Sequence, residues 1–317
     1  MRRKLCSVLL SAFALLLLMG AGNETVPDVN KEESGTTGNS VSLETVIQFE
    51  VNNTDNMESV LAEEQKPEPS VDEGMFIDRQ PASLEIGRVQ KAGVTYVSLA
   101  DMAKALDVAV QVYWNAENNQ MTLTTAALNM TAKMGNRYLE ANGRYLYLDE
   151  PLQNMNGTVM VPLWAVAKAF DAKIAWNSVT DVVIVTTGSG AIQSGESYYN
   201  QDDLFWLSRL IYAESGNQPL NGQVAVGNVV MNRVKSNLFP NSILGVVSQK
   251  NQFSVYKNGA LAKRTPNETS IIAAKLVLDG GVEELTEGAM YFDSLRSSWA
   301  ARSRQHVATI GNHKFYR

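Results

Sequence analysis

Few residues in this 317-residue chain could do chemistry, and the shortage narrows the options. There is one cysteine, Cys6, and there are two histidines, His306 and His313. A single thiol builds no intramolecular disulfide and no multi-thiolate zinc or iron–sulfur site. Two histidines are a poor ligand set for a metal-dependent amidase or peptidase, so no metal and no cofactor is expected. Carboxylate chemistry remains, and one carboxylate is well placed for it. Glu214 stands in Tyr212-Ala213-Glu214-Ser215-Gly216, where Gly216 reads as a helix stop. A glutamate in a last helical turn meets the negative end of the helix dipole, unfavourable by about 0.3–1 kcal/mol. Its nearly apolar neighbours add a desolvation cost, and both effects favour the protonated carboxyl. A proton-holding glutamate at a cleft suits glycosidic bond cleavage, where the leaving oxygen must be protonated. On spacing alone, a solvated glutamate at a helix end is the commoner reading.

The elements around Glu214 follow from periodicity. Asp202 and Asp203 precede Leu204, Phe205, Leu207, Leu210 and Ile211, which predicts an N-capped helix with acids in its first turn. Residues 222–234 read as a largely buried helix with apolar positions 225, 226, 229, 230 and 234; Gly227 would admit another backbone. A short helix is expected near 242–248, then the loop Asn251-Gln252-Phe253-Ser254. Thr265 starts a helix through Asp279, stopped by Gly280-Gly281, and Met290-Tyr291-Phe292 reads as a short strand.

This ensemble resembles the SleB-type cell wall hydrolases. The resemblance covers about 204–316 and rests on Ala213-Glu214, Gly222–Val234, Phe239-Pro240, Thr265–Thr269, Ser298-Trp299 and Ile310-Gly311 with His313 and Phe315. It implies a lysozyme-like, mostly helical domain acting as a lytic transglycosylase on the MurNAc–GlcNAc bond of peptidoglycan, with Glu214 catalytic. Glu214-Ser215 is also similar to the Glu-Ser pair of soluble lytic transglycosylases. Gln252, Phe253, Tyr291 and His313 are the expected substrate-binding residues, with Asn228 a more remote candidate. Phe253 and Tyr291 suit a core equally well, and His313 suits a packed, hydrogen-bonded position better. Asp293 follows a strand and is the second carboxylate if the enzyme is a true hydrolase. The chain departs from typical cortex-lytic members: a duplicated domain stands in front where they carry a peptidoglycan-binding helical repeat, and Asp293-Ser294 stands where Asn-Pro is common. A hydrolytic muramidase and a non-catalytic wall-binding protein on a lysozyme-like scaffold are the competing readings.

Upstream, the chain repeats itself. Gly93–Asp107 recurs as Gly157–Asp171, each copy continuing to a Trp-Asn pair, Trp114-Asn115 and Trp176-Asn177, and closing in Thr-Thr. Each copy reads as strand, helix, strand, strand, and two copies together make one α+β domain because neither buries enough apolar surface alone. The pattern resembles the copper amine oxidase N-terminal-like domain over about 83–188. That stretch has no His and no Cys, so the resemblance carries no copper site with it.

The net charge of −6 is an average over unlike segments. Residues 1–22 carry +3, an apolar run and then small residues, the pattern of a secretory signal peptide. Residues 23–75 carry −11 and too little apolar surface to offset their ordering entropy, apart from a weak strand pattern at 41–51. Residues 76–197 carry −2 and residues 198–317 carry +4. The expected fold class is α+β, arranged as a signal peptide (1–22), an acidic disordered linker (23–75), a duplicated α+β domain (76–190) and a mostly helical lysozyme-like catalytic domain (198–317). The expected location is extracytoplasmic, at the cell wall or in the spore. The expected partner is peptidoglycan, with a wall-associated regulatory partner left open. Neither nucleic acid nor a membrane span after signal cleavage is expected.

Overall fold

The structure, a computed structural model, describes residues 71–317 except 156, 251, 295 and 296. The expected signal peptide and the strand pattern at 41–51 lie outside the described residues, as does most of the acidic linker. Its last residues are already structured: β1 (Val71–Ile77) opens within them and pairs with β2 (Gln80–Ser83).

The first repeat contributes the hairpin β3 (Arg88–Lys91) and β4 (Val94–Ser98), the helix α1 (Leu99–Leu106), and the hairpin β5 (Gln111–Asn115) and β6 (Gln120–Thr124). Three more antiparallel strands extend β6: β7 (Asn129–Lys133), β8 (Tyr138–Ala141) and β9 (Arg144–Tyr147). The second repeat contributes β10 (Asn154–Met155), β11 (Thr158–Pro162), α2 (Leu163–Ala169), β12 (Lys173–Asn177) and β13 (Val182–Thr186). The leading hairpins join in one sheet, ordered β10-β11-β4-β3, while β13 pairs in parallel with β1. Each repeat therefore begins with a hairpin rather than the single strand expected.

Local sequence explains these elements. Ser98 caps α1, its hydroxyl donating to the Asp101 carboxylate at 2.6 Å. The Asn of each Trp-Asn pair makes a turn. Asn115 Oδ1 accepts from the amide of Glu117 at 2.9 Å, and Asn177 Oδ1 from that of Val179 at 3.0 Å. Leu99, Met102, Val161, Leu163, Val166 and Phe170 pack a shared core between the sheets.

A short helix, α3 (Gly195–Tyr198), leads into the C-terminal region. There α4 (Gln201–Ser215), α5 (Leu220–Lys235), α6 (Ile243–Ser248) and α7 (Glu268–Leu278) bury Leu207, Leu210, Ile211, Val224, Val230, Val246 and Ala273 among themselves. A Cβ on Gly227 would lie 2.8 Å from Val277 and 3.1 Å from Ile211, so this glycine admits two side chains rather than the backbone expected. The chain ends in β14 (Tyr291–Asp293), α8 (Trp299–Ser303), β15 (His306–Ile310) and β16 (His313–Tyr316), the strands forming an antiparallel sheet in the order β14-β16-β15. Phe315 and Ile310 from this sheet pack on Val226 and Val229 of α5.

The repeat domain and the helical region share a polar, buried interface. Asp279, just past α7, accepts two hydrogen bonds from Arg144 of β9 at 2.8 and 2.7 Å and lies 2.6 Å from Lys168 of α2. Glu283 accepts from the Tyr147 hydroxyl at 2.6 Å. Among the described residues, no helix is long and apolar enough to cross a membrane.

Candidate active site

Glu214 lies in the last turn of α4. Asn200 caps the start of that helix, accepting from the Asp203 amide at 3.0 Å, and the Leu207, Leu210 and Ile211 face anchors it in the core. Glu214 follows Leu207, Leu210 and Ile211 by seven, four and three residues, so it continues that same face at its C-terminal end, half-buried in a cavity of about 540 Å³. Tyr212, Ala213, Gly216, Asn217, Arg264 and Asn267 complete the lining, which makes Glu214 the sole carboxylate there among the described residues.

A hydrogen-bonded frame fixes this corner. Asn267 caps α7, accepting from the Ser270 amide at 2.9 Å, and donates to the Gly216 carbonyl at 3.3 Å. Buried Gln223 donates to the Gln218 carbonyl at 2.9 Å and accepts from the Ser270 hydroxyl at 2.7 Å. The Gln218 side chain accepts the Asn312 amide at 2.8 Å, tying the β15–β16 turn to the same loop. The loop after Glu214 is thus held from three directions. This frame had no motif in the sequence, because its partners are 47 and 94 residues apart.

Burial raises the Glu214 carboxyl above its ordinary pKa, and the Arg264 cation opposes that only in part. The protonated form therefore persists to higher pH than for an exposed glutamate, the state a proton donor needs.

Of the expected substrate-binding residues, three gather elsewhere, around a residue that sequence reading passed over. Arg233, 4% exposed in the last turn of α5, donates to the Met290 carbonyl at 2.8 Å and to Gln252 Oε1 at 3.1 Å. Its guanidinium lies over the rings of Phe239, Phe253 and Tyr291, 5.1–5.4 Å from their centroids. Phe253 is a core residue at 6% exposure, whereas Gln252 is exposed and Tyr291 half-buried. Tyr291 continues outward to the half-exposed Trp299, 5.5 Å between centroids, with Arg304 over both rings. Arg233 follows Val226, Val229 and Val230 by seven, four and three residues, so periodicity puts it on the buried face of α5. Nothing local signals a cation buried among aromatic rings.

His313 is buried against Phe292 and Phe315, and burial lowers its pKa despite the opposing charge of Asp293. Asp293 accepts a hydrogen bond from Ser298 and is not part of the Glu214 cavity lining. Asn228 is 5% exposed and both ends of its amide serve main chain: it donates to the Gly281 carbonyl and accepts from the Glu283 amide, each at 2.8 Å. It fixes the segment after α7 that meets the repeat domain, and it does not line the Glu214 cavity.

Among the described residues, no group of three or more His, Cys, Asp or Glu side chains is arranged to hold a metal ion. In the repeat domain the donor set lacks His and Cys altogether, which does not fit copper.

Two family models match the chain. The model for "Cell Wall Hydrolase" matches residues 217–316, and that for "Copper amine oxidase N-terminal domain" matches residues 76–185. The first match begins just after Glu214 and does not include it. The spore cortex-lytic enzyme of Bacillus cereus is 37% identical over 121 residues, covering 37% of this chain and 45% of that protein. The Bacillus subtilis enzyme of the same name is 35% identical over 121 residues, covering 37% and 38%. The chain therefore spans less than half the length of these curated relatives. Among solved structures, the catalytic domain of the Bacillus cereus SleB protein is 34% identical, with 38% of this chain and 92% of that chain covered and a TM-score of 0.34. The catalytic domain of the germination-specific lytic transglycosylase SleB from Bacillus anthracis is 33% identical, with 40% and 100% covered and a TM-score of 0.35. The chain carries a cell wall hydrolase domain preceded by a copper amine oxidase N-terminal domain, and over the former it is similar to spore cortex-lytic enzymes.

Proposed function

We propose that this protein degrades peptidoglycan outside the cytoplasm by cleaving the MurNAc–GlcNAc bond as a lytic transglycosylase. Protonated Glu214 donates to the glycosidic oxygen as the bond from that oxygen to C1 of the muramyl residue breaks. The carboxylate then takes the proton of the C6 hydroxyl of the same residue while O6 bonds to C1. The products are a 1,6-anhydro-muramyl end and a free GlcNAc hydroxyl, and Glu214 is protonated again. The nucleophile belongs to the substrate, so its effective concentration is high and no water needs placing. One observation carries this reading: among the described residues Glu214 is the sole carboxylate lining its cavity, and burial favours its protonated form. A two-carboxylate hydrolase would bring a second acid to the same cavity, and Asp293 is engaged with Ser298 elsewhere.

The spore cortex is the substrate this reading favours, since the named relatives are spore cortex-lytic enzymes. Export by the basic and apolar N-terminal segment follows from the same reading, because peptidoglycan lies outside the cytoplasm. The test is digestion of purified cortex and vegetative peptidoglycan by the wild type and by Glu214→Gln, with mass spectrometry of the fragments. Anhydro-muramyl ends absent from the Glu214→Gln digest are expected. Reducing muramyl ends would establish a hydrolase instead, and an undigested wall would leave a binding protein.

A further inference from the structure

The two repeats of the N-terminal domain treat equivalent positions differently. In the first, Val112 and Trp114 of β5 pack against the domain core. Their second-repeat counterparts, Ile174 and Trp176 of β12, are 40% and 63% exposed. All five residues of β12 are exposed. The first turn of α2 carries Trp164, 37% exposed, where α1 carries Ala100. The second repeat thus adds one indole to the surface and leaves another uncovered on the same side.

These residues line one concave site of about 570 Å³, walled by the β3–β4 hairpin, the start of α2 and the β12–β13 hairpin. Its volume is in the usual range for a ligand pocket. The Trp176 ring is held in place, because its Nε1 donates to Asp181 Oδ1 at 3.1 Å. Across the site Gln90 donates to the Thr95 hydroxyl at 3.1 Å, presenting an amide and a hydroxyl at the rim. Among the described residues, Asp181 is the sole ionisable side chain in the lining.

We propose that this groove is a second, non-catalytic glycan-binding site, taking an uncharged pyranose segment such as an N-acetylhexosamine unit. A pyranose offers a flat face of C–H groups and a rim of hydroxyls. The C–H face suits the electron-rich faces of two indoles. The hydroxyls suit Asp181, Gln90 and Thr95. A lone carboxylate, with no cation in the lining, disfavours an anionic wall polymer and favours a neutral sugar. The buried ion pairs at Asp279 fix this domain to the helical one, so a glycan seated here is held at a set distance from Glu214. The site is separate from the Glu214 chemistry and needs no turnover.

The test uses the full chain carrying Glu214→Gln, titrated with soluble chitin oligosaccharide by tryptophan fluorescence and cosedimented with insoluble chitin and purified peptidoglycan. Trp176→Ala and Trp164→Ala are each expected to weaken binding by about tenfold, whereas Tyr113→Ala, an equally exposed aromatic on β5, leaves it unchanged. Far-ultraviolet dichroism and melting confirm folding, and Asp181→Ala supplies a variant that keeps both rings. Unchanged binding in the folded Trp164→Ala/Trp176→Ala double variant would overturn the proposal. So would a wild-type dimer, measured by light scattering, that dissociates on Trp176→Ala, since the groove would then be a self-association face. Failure of the Glu214 assignment would appear in the digestion products and leave this binding readout untouched.

Discussion

Arg144 and Asp279, 135 residues apart, meet as a buried fork: Nε and one terminal nitrogen of the guanidinium each donate to a different carboxylate oxygen, at 2.8 and 2.7 Å. Lys168 and the Tyr199 hydroxyl complete the shell around the same carboxylate. Burial alone would raise the Asp279 pKa, but the hydrogen bonds and charges of Arg144 and Lys168 hold it below the ordinary carboxylate range. Asp279 therefore joins the repeat domain to the helical domain by charge.

Removing Asp279 leaves the Arg144 charge buried without its partner, and removing Arg144 leaves Asp279 with Lys168 as its one remaining cation among the described residues. Arg144→Ala and Asp279→Ala are each expected to destabilise the protein by about 3–5 kcal/mol, read by urea unfolding at neutral pH. A carboxyl with depressed pKa contributes stability above its unfolded-state pKa and loses it as pH falls through its folded-state value. The wild type should therefore lose stability on acidification more steeply than Asp279→Asn. Parallel acid profiles for the two would show that the fork contributes little.

Glu214→Gln should lose all anhydro-muramyl product and be more stable than the wild type at neutral pH. The sign follows from the raised carboxyl pKa. Folding then favours the protonated form, so wild-type stability declines as pH rises from the unfolded-state pKa through the folded one. The amide is neutral throughout and escapes that decline. Melting of both proteins between pH 4 and pH 8 should show curves that converge at the acid end and separate above it. A Glu214→Gln protein less stable at neutral pH would contradict burial as the cause.

Asn228→Ala deletes two hydrogen bonds to buried main chain, at a cost of about 1–3 kcal/mol for the groups left unpaired. Digestion per folded molecule should stay near the wild-type rate, because Asn228 reaches the segment after α7 rather than the Glu214 cavity. A slower digest with unchanged melting would instead place Asn228 against substrate.

Arg233→Lys keeps the charge but loses the planar fork that serves Met290 and Gln252 together. A loss of about 1–3 kcal/mol is expected from the buried acceptors left unpaired, measured by thermal unfolding. Loosening Gln252 should raise KM for soluble glycan fragments with little change in kcat. A fall in kcat alone would show that the cluster acts on the reacting bond.

Gly227→Ala tests the tightest helix contact. Its Cβ would come within 2.8 Å of Val277, and overpacking of this kind costs about 1–3 kcal/mol. Val277→Ala in the same chain should recover part of that loss, since the clash is with this side chain.

Much of the helical region was legible because its signals are local. The Leu207, Leu210 and Ile211 spacing, the acids at 202 and 203, and Gly280-Gly281 fix α4 and the end of α7 within a few residues. The repeat was legible because self-similarity needs no knowledge of contacts. The start of α7 was less so: Thr265-Pro266 suggested it, but Asn267 caps it, accepting from the Ser270 amide. The leading hairpins were half read, since β3 and β10 are short and exposed and leave little alternation to detect.

The sequence by itself carried the resemblance to cell wall hydrolases, the duplicated architecture and Glu214 as a candidate, because each rests on ordered motifs along the chain. Tertiary structure alone decided which polar groups act together. The Arg233 cluster, the Gln218–Gln223–Ser270 frame and the Arg144–Asp279 fork join residues far apart in the chain. It also decided which of two equivalent tryptophans is covered: Trp114 packs on the core and Trp176 stays exposed. The physical reason is the same throughout. Burial and long-range hydrogen bonding depend on what the rest of the chain brings to a residue, and periodicity records only the residue's own element.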